Sequence, residues 1–202
     1  MTKFMSLLIE SICLKDGEFK NLSYHEQRMQ RALTSVFESK VKPGLETYLS
    51  NTEFPIQGLY KCRVSYTDRF KKVEFIPYEK RKINSLKLVT SEEISYQHKF
   101  EDRHQLNALF VHRQECDDIL IVRHGLITDS SYANIVFNDG TRWVTPKSFL
   151  LQGTMRQRLL DSKLISEQEI QVIDLHRFTT FKLINAMLGF DGPEIDVSNI
   201  VM

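Results

Sequence analysis

The sequence holds three cysteines, Cys13, Cys62 and Cys116, and no Cys-x-x-Cys pair. An odd number of widely spaced thiols, each in or beside an apolar run, excludes a disulfide framework or a thiolate zinc site and reads as buried thiols. No Gly-x-Ser-x-Gly occurs, and no His-x-x-x-His with a carboxylate at the right offset. A serine-hydrolase elbow and a zinc-hydrolase helix are therefore excluded, and no metal is expected. No stretch approaches the roughly 18 uninterrupted apolar residues of a membrane span. The N-terminal apolar run is short and broken by Glu10, which does not suit a secretory signal, so a cytoplasmic location is expected. Charge imbalance is missing as well, with 27 Lys and Arg against 26 Asp and Glu. Nothing in that balance calls for nucleic acid or an anionic membrane. The densest basic patch, Lys80-Arg81-Lys82 with Lys71-Lys72, is interleaved with Glu74 and Glu79 and reads as a solvated face. Repeats and low-complexity tracts are absent.

What the chain does have is a succession of short apolar runs separated by turn signals. Its 202 residues, 42% hydrophobic, suffice for one good-sized domain or two small ones with cores of their own. Phe4–Leu14 predicts a strand, Asp16-Gly17 a hairpin turn and Phe19–Leu22 the return strand. Ser23, with Glu26 three residues on, predicts a capping box. The helix it opens presents Met29, Ala32, Leu33, Val36 and Phe37 on one face and ends at Pro43-Gly44. A short helix over 45–49 follows, then strands at 57–66, 71–77 and 85–89 and a polar connection over 90–98. In the second half Lys99 heads a predicted helix reaching Phe110. Strands are expected at 119–122, 132–137, 143–145, 171–173, 181–188 and 195–197, and helices at 154–161 and 166–170. This pattern predicts an α+β protein of two small domains, residues 1–90 and 91–202, with a cleft between them.

Three features in the second half point to one chemistry. A lysine, Lys99, is followed by a carboxylate in Ile127-Thr-Asp129-Ser-Ser-Tyr-Ala-Asn134-Ile and by a glycine opening a helix in Gly153-Thr-Met-Arg-Gln157. An amine that condenses with an aldehyde, an acid for a ring nitrogen and helix amides for a phosphate are what a pyridoxal 5'-phosphate (PLP) site needs. Each has a plainer reading: a surface lysine, an aspartate bonding its own turn, a glycine ending a loop. Lys61, Lys82 and Lys87 compete with Lys99. His25-Glu-Gln-Arg28 offers a guanidinium suited to phosphate or, equally on residue type, to solvent. Arg63 divides evenly between taking a substrate carboxylate and lying on the surface of its strand.

Taken together these motifs resemble the class IV PLP enzymes: branched-chain aminotransferases, D-amino-acid transaminases and aminodeoxychorismate lyases. The resemblance implies a D-amino-acid-aminotransferase-like architecture of fold type IV, with the cofactor in the cleft. It implies Lys99 as the catalytic Schiff-base lysine, Asp129 in place of the family's usual Glu at the pyridinium, and Asn134 in its Asn-Ile pair. Arg28 of the His-x-x-Arg motif and the amides of Gly153, Thr154 and Met155 would hold the phosphate. Asn185-Ala186 resembles the lyases' Asn-Ala-Leu, and Gly153-Thr-Met-Arg-Gln their Gly-Ile-Met-Arg-Gln. These two motifs favour aminodeoxychorismate lyase, which releases pyruvate and leaves 4-aminobenzoate for folate synthesis, over a branched-chain or D-amino-acid transaminase. Homodimers are the family's habit. The Tyr-Gly-Asp-Gly stretch that usually precedes Phe-Glu-Thr is absent, which keeps a non-catalytic remnant of the fold among the readings.

Overall fold

Alternation along the first long strand, β1 (Leu8–Lys15), places Leu8, Glu10, Ile12 and Leu14 on one face, all of them buried. The computed structural model describes residues 7–42 and 44–202, so residues 4–6 of the expected strand and Pro43 lie outside it. The described residues fall into two units. The first runs to Lys80 and takes back His98–Asp102; the second comprises Arg81–Gln97 and Arg103–Met202.

In the first unit β1 turns at Asp16 and Gly17, both at positive φ, into β2 (Glu18–Phe19), as an Asp-Gly hairpin requires. Helix α1 (Leu22–Phe37) follows, then α2 (Leu45–Ser50), β3 (Leu59–Tyr66) and β4 (Phe70–Pro77), giving an antiparallel sheet in the order β2-β1-β3-β4. Met29, Ala32 and Leu33 of α1 and Leu45 and Leu49 of α2 cover the inner face of β1 and β3. The expected capping box at Ser23 does not form. The helix starts one residue earlier, capped by Asn21 in the left-handed conformation, and Glu26 instead accepts from the Leu45 amide at 3.2 Å. Asn tolerates that conformation, and it turns the chain sharply from β2 into the helix.

The second unit begins with β5 (Leu86–Thr90), which the sequence reading assigned to the first half. It pairs in parallel with β6 (Asp118–Arg123) and with β13 (Ile200–Val201), and β7 (Leu126–Ser130) closes the order β13-β5-β6-β7. Its second sheet runs β10-β9-β8-β11-β12: Ser166–Gln168, Trp143–Pro146, Asn134–Asn138, Thr180–Ile184 and Ile195–Asp196. Leu86, Leu120, Val122 and Ile127 from one sheet meet Ile135, Phe137, Val144 and Phe181 from the other in the largest core cluster. On the far face of β8, Val136 packs with Met155 and Leu159 of helix α4 (Thr154–Asp161). A shorter helix, α3 (His104–Phe110), precedes β6.

Three local expectations fail here. Residues 166–168 form β10 rather than a helix, because they pair with the open edge of β9. The strand expected at 171–173 does not form: a 3-10 helix spans Val172–Arg177 instead, opened by Asp174 accepting from the Gln171 amide at 3.0 Å. Strand β11 also stops at Ile184, four residues short of the expected end, where Asn185 turns the chain.

Candidate active site

In the first unit the polar residues stand where hydrocarbon would be expected. Glu10 interrupts the Leu8, Ile12, Leu14 stripe and is completely buried, as is His25, while Arg28 is nearly so. Arg28 donates to Glu10 through Nε at 3.0 Å and also through Nη2; His25 Nδ1 lies 2.6 Å from the same carboxylate. His25 Nε2 is buried with no hydrogen-bond partner. Lys99 does not head a helix. Its segment is extended and pairs with β1: Ile9 N donates to Lys99 O at 2.9 Å, and Glu101 N donates to Leu7 O at 2.8 Å. The helix begins only at His104, so no helix dipole acts at Lys99. Arg63 on β3 donates to Glu74 at 3.0 Å and to Glu101. Its guanidinium already has acidic partners.

In the second unit Asp129 ends up in a cage of donors. One carboxylate oxygen accepts from Asn134 Nδ2 at 2.8 Å; the other accepts from the Leu150 and Leu151 amides at 3.0 and 2.9 Å. Asn134 Nδ2 also donates to Leu151 O at 2.9 Å. Gly153 follows directly, and here the absence of a side chain matters: a Cβ at this position would sit 1.9 Å from Asn134 Oδ1. Gly153 caps α4 without a side-chain bond, and the first turn closes with Gln157 N on Gly153 O. The amides of Thr154, Met155 and Arg156 thus have no acceptor inside the helix, and the positive end of the helix is set beside the Asp129 cage. Arg156 is buried beneath it, donating to Pro146 O and Glu167. Asn185 accepts from the Met187 and Leu188 amides at 2.9 Å, fixing the turn that contains Ala186, and donates to Tyr132 O at 3.4 Å.

The two buried carboxylates titrate in opposite directions. Burial alone pushes Glu10 up, but the Arg28 charge and the bonds from His25 and Arg28 outweigh it and hold the group at about 2. Burial pushes Asp129 up to about 6, and its amide and Asn134 bonds do not offset that. The difference is a cation. Glu10 has a guanidinium in contact, whereas no ion pair to Asp129 forms among the described residues, and Arg156 acts on it only at a distance. Burying a carboxylate costs several kcal/mol without such a partner. Asp129 is a built site that lacks its positive charge, and a protonated ring nitrogen fits that description. The open amides of α4 fit a phosphate.

A family model for class IV amino-transferases matches residues 77–190, more than half of the chain. The chain belongs to the class IV aminotransferase family. Members of the family depend on PLP and act on small amino-acid-like substrates. This class IV chain is 34% identical over 184 residues to an uncharacterized protein of Haemophilus influenzae, covering 90% of this chain and 98% of that one. It superposes on the crystal structure of a candidate 4-amino-4-deoxychorismate lyase from Haemophilus somnus with a TM-score of 0.83 and 35% identity, covering 93% of this chain and 99% of the other. A hypothetical aminotransferase from Mycobacterium tuberculosis in PLP-bound form shares the fold at a TM-score of 0.75 and 16% identity, over 95% of this chain and 81% of its own. The architecture is that of the fold type IV PLP enzymes.

One site residue escaped the sequence reading. Glu10 entered it only as the charge that breaks an apolar run. The signal was present in the strand period, because a carboxylate at an inward position demands a buried partner.

Proposed function

We propose that this class IV chain is a PLP-dependent enzyme of the 4-amino-4-deoxychorismate lyase type. The observation that carries the reading is Asp129, a buried carboxylate fully bonded by neutral donors and still lacking a cation. In this reading Asp129, oriented by Asn134 and the Leu150 and Leu151 amides, holds the proton on the ring nitrogen. The amides of Thr154 and Met155 and the Arg28 guanidinium bind the phosphate. Lys99 would anchor the cofactor, and its amine would take and return the proton at the substrate α-carbon. When bound, the cofactor supplies an electron sink for the pair released at that carbon. Arg63 donates to Glu74 and Glu101 and is given no role in this reading. A homodimer is proposed by family habit alone.

The lyase form is supported by the Haemophilus somnus relative at 35% identity and by the Gly153-Thr-Met-Arg-Gln and Asn185-Ala186-Met187 motifs. It predicts that purified protein reconstituted with PLP releases pyruvate from aminodeoxychorismate with no keto acid added. Turnover of glutamate with 2-oxoisocaproate, and none of aminodeoxychorismate, would make it a transaminase instead.

Asp129 also predicts a pH signature in the cofactor-free protein. A carboxyl group raised from 3.8 unfolded to about 6 folded holds its proton more tightly in the native state. Its contribution to stability is therefore lost as pH rises through that window, by up to roughly 3 kcal/mol. His25, lowered by burial, works the opposite way, with stability lost as pH falls below the unfolded imidazole value. The two are separated by comparison with Asp129→Asn. The melting temperature of wild type minus that of the variant is expected to drop between about pH 4 and pH 6. A flat difference would show that Asp129 is ionised throughout and already compensated.

A further inference from the structure

We propose that Glu10 is a positioning residue for the cofactor phosphate, acting through Arg28. This inference rests on the PLP reading and extends it to a residue in the buried layer behind the phosphate ligands.

Glu10 breaks an otherwise apolar pattern. Leu8, Ile12 and Leu14 on its face of β1, and Met29, Ala32 and Leu33 on the facing helix, are hydrocarbon and buried. Within that layer Glu10, His25 and Arg28 form a closed polar group, with both carboxylate oxygens of Glu10 engaged. A leucine or methionine at position 10 would pack this layer with no desolvation cost, and removing all three polar groups at once is often neutral or stabilising in other proteins. Stability alone therefore does not account for the arrangement. What the carboxylate does supply is direction. Two parallel bonds, from Nε and Nη2, fix the plane of the guanidinium. The same carboxylate holds His25 by Nδ1, which leaves Nε2 as a buried, unpartnered nitrogen on the same helix as Arg28. The segment carrying Lys99 is hydrogen-bonded to Ile9, the residue next to Glu10. One strand thus carries the support for Arg28 and sets the backbone of the catalytic lysine.

A guanidinium held in one plane recognises phosphate better than one free to rotate, while the ring and aldehyde of the cofactor make no use of it. The test is a pair of titrations of the cofactor-free full-length protein, with PLP and with pyridoxal, which lacks the phosphate. Binding is followed by the absorbance band near 400 nm. Glu10→Gln is expected to weaken PLP binding tenfold or more and pyridoxal binding by less than twofold. Glu10→Asp keeps the charge, folds with the pair intact, and is expected to retain part of the PLP preference. Equal losses for both ligands in the two variants would mean that Glu10 merely stabilises the unit, and unchanged affinities would mean that Arg28 needs no support; either overturns the proposal. Wild-type protein that binds neither ligand overturns the PLP reading itself, and this inference with it.

Discussion

Lys99→Ala is expected to give a colourless protein that folds normally. Incubated with PLP, it should develop no band near 400 nm and should retain no cofactor linkage that borohydride can fix. Lys99 is assigned both the covalent anchor and the proton transfer at the substrate α-carbon, and a positioned proton carrier alone contributes roughly 10²–10⁴-fold. Activity should therefore fall by at least that factor. The fold should tolerate the change, because the Lys99 segment is held by its backbone, through Ile9 N on Lys99 O. Lys87→Ala is the matched control. Its ammonium donates to the carbonyl of Met202, the residue after β13, and losing that contact should leave the spectrum unchanged.

Gly153→Ala carries the second large effect, and it acts without touching any charged group. The φ of Gly153 is −70°, which alanine adopts freely, so the obstacle is steric. The new methyl would overlap Asn134 Oδ1 and press on its Cγ at 3.1 Å. Either Asn134 gives way, releasing its bonds to Asp129 and Leu151 O, or the start of α4 shifts. Losing two buried hydrogen bonds at roughly 1 kcal/mol each, or overpacking at roughly 1–3 kcal/mol, places the cost near 1–3 kcal/mol. At roughly 2–4 °C per kcal/mol for a chain of this size, the melting temperature should fall by about 2–12 °C. PLP affinity should fall with it, since both routes disturb the phosphate amides or the Asp129 cage. A variant that melts with wild type and binds PLP equally well would show that the contact relaxes at no cost.

The sequence was most legible where one local rule dominated. Asp16-Gly17 is a hairpin because both positions need positive φ, and α4 begins at Gly153 because an open cap meets an apolar face. The alternation in 59–66 and 70–77 found β3 and β4 within a residue or two. It failed where distant partners decided. Residues 166–168 have no strand signal of their own and extend only because the edge of β9 is vacant. Residues 171–173 look like a strand until Asp174 closes a turn on Gln171. The Lys99 segment was read as a helix start from the apolar spacing after it, yet its conformation is set by β1, some ninety residues earlier. Of the residues singled out by motif order, Asp129 and Asn134 are hydrogen-bonded to each other, and Gly153 lies close against the Asn134 side chain. No spacing rule could show that Asp129 lacks a cation, because that depends on which charges the fold keeps away. Arg63 illustrates the converse: its strand position was foreseen, but its two acidic partners come from β4 and from the Lys99 segment.

The central claim is that Lys99 is the amine that takes the cofactor. The most direct measurement is to reconstitute the protein with PLP, reduce it with borohydride, digest it and locate the pyridoxyl group by mass spectrometry. The account predicts a single modified site, Lys99, in stoichiometric yield. Modification at Lys61, Lys82 or Lys87, or an unmodified chain, would contradict it.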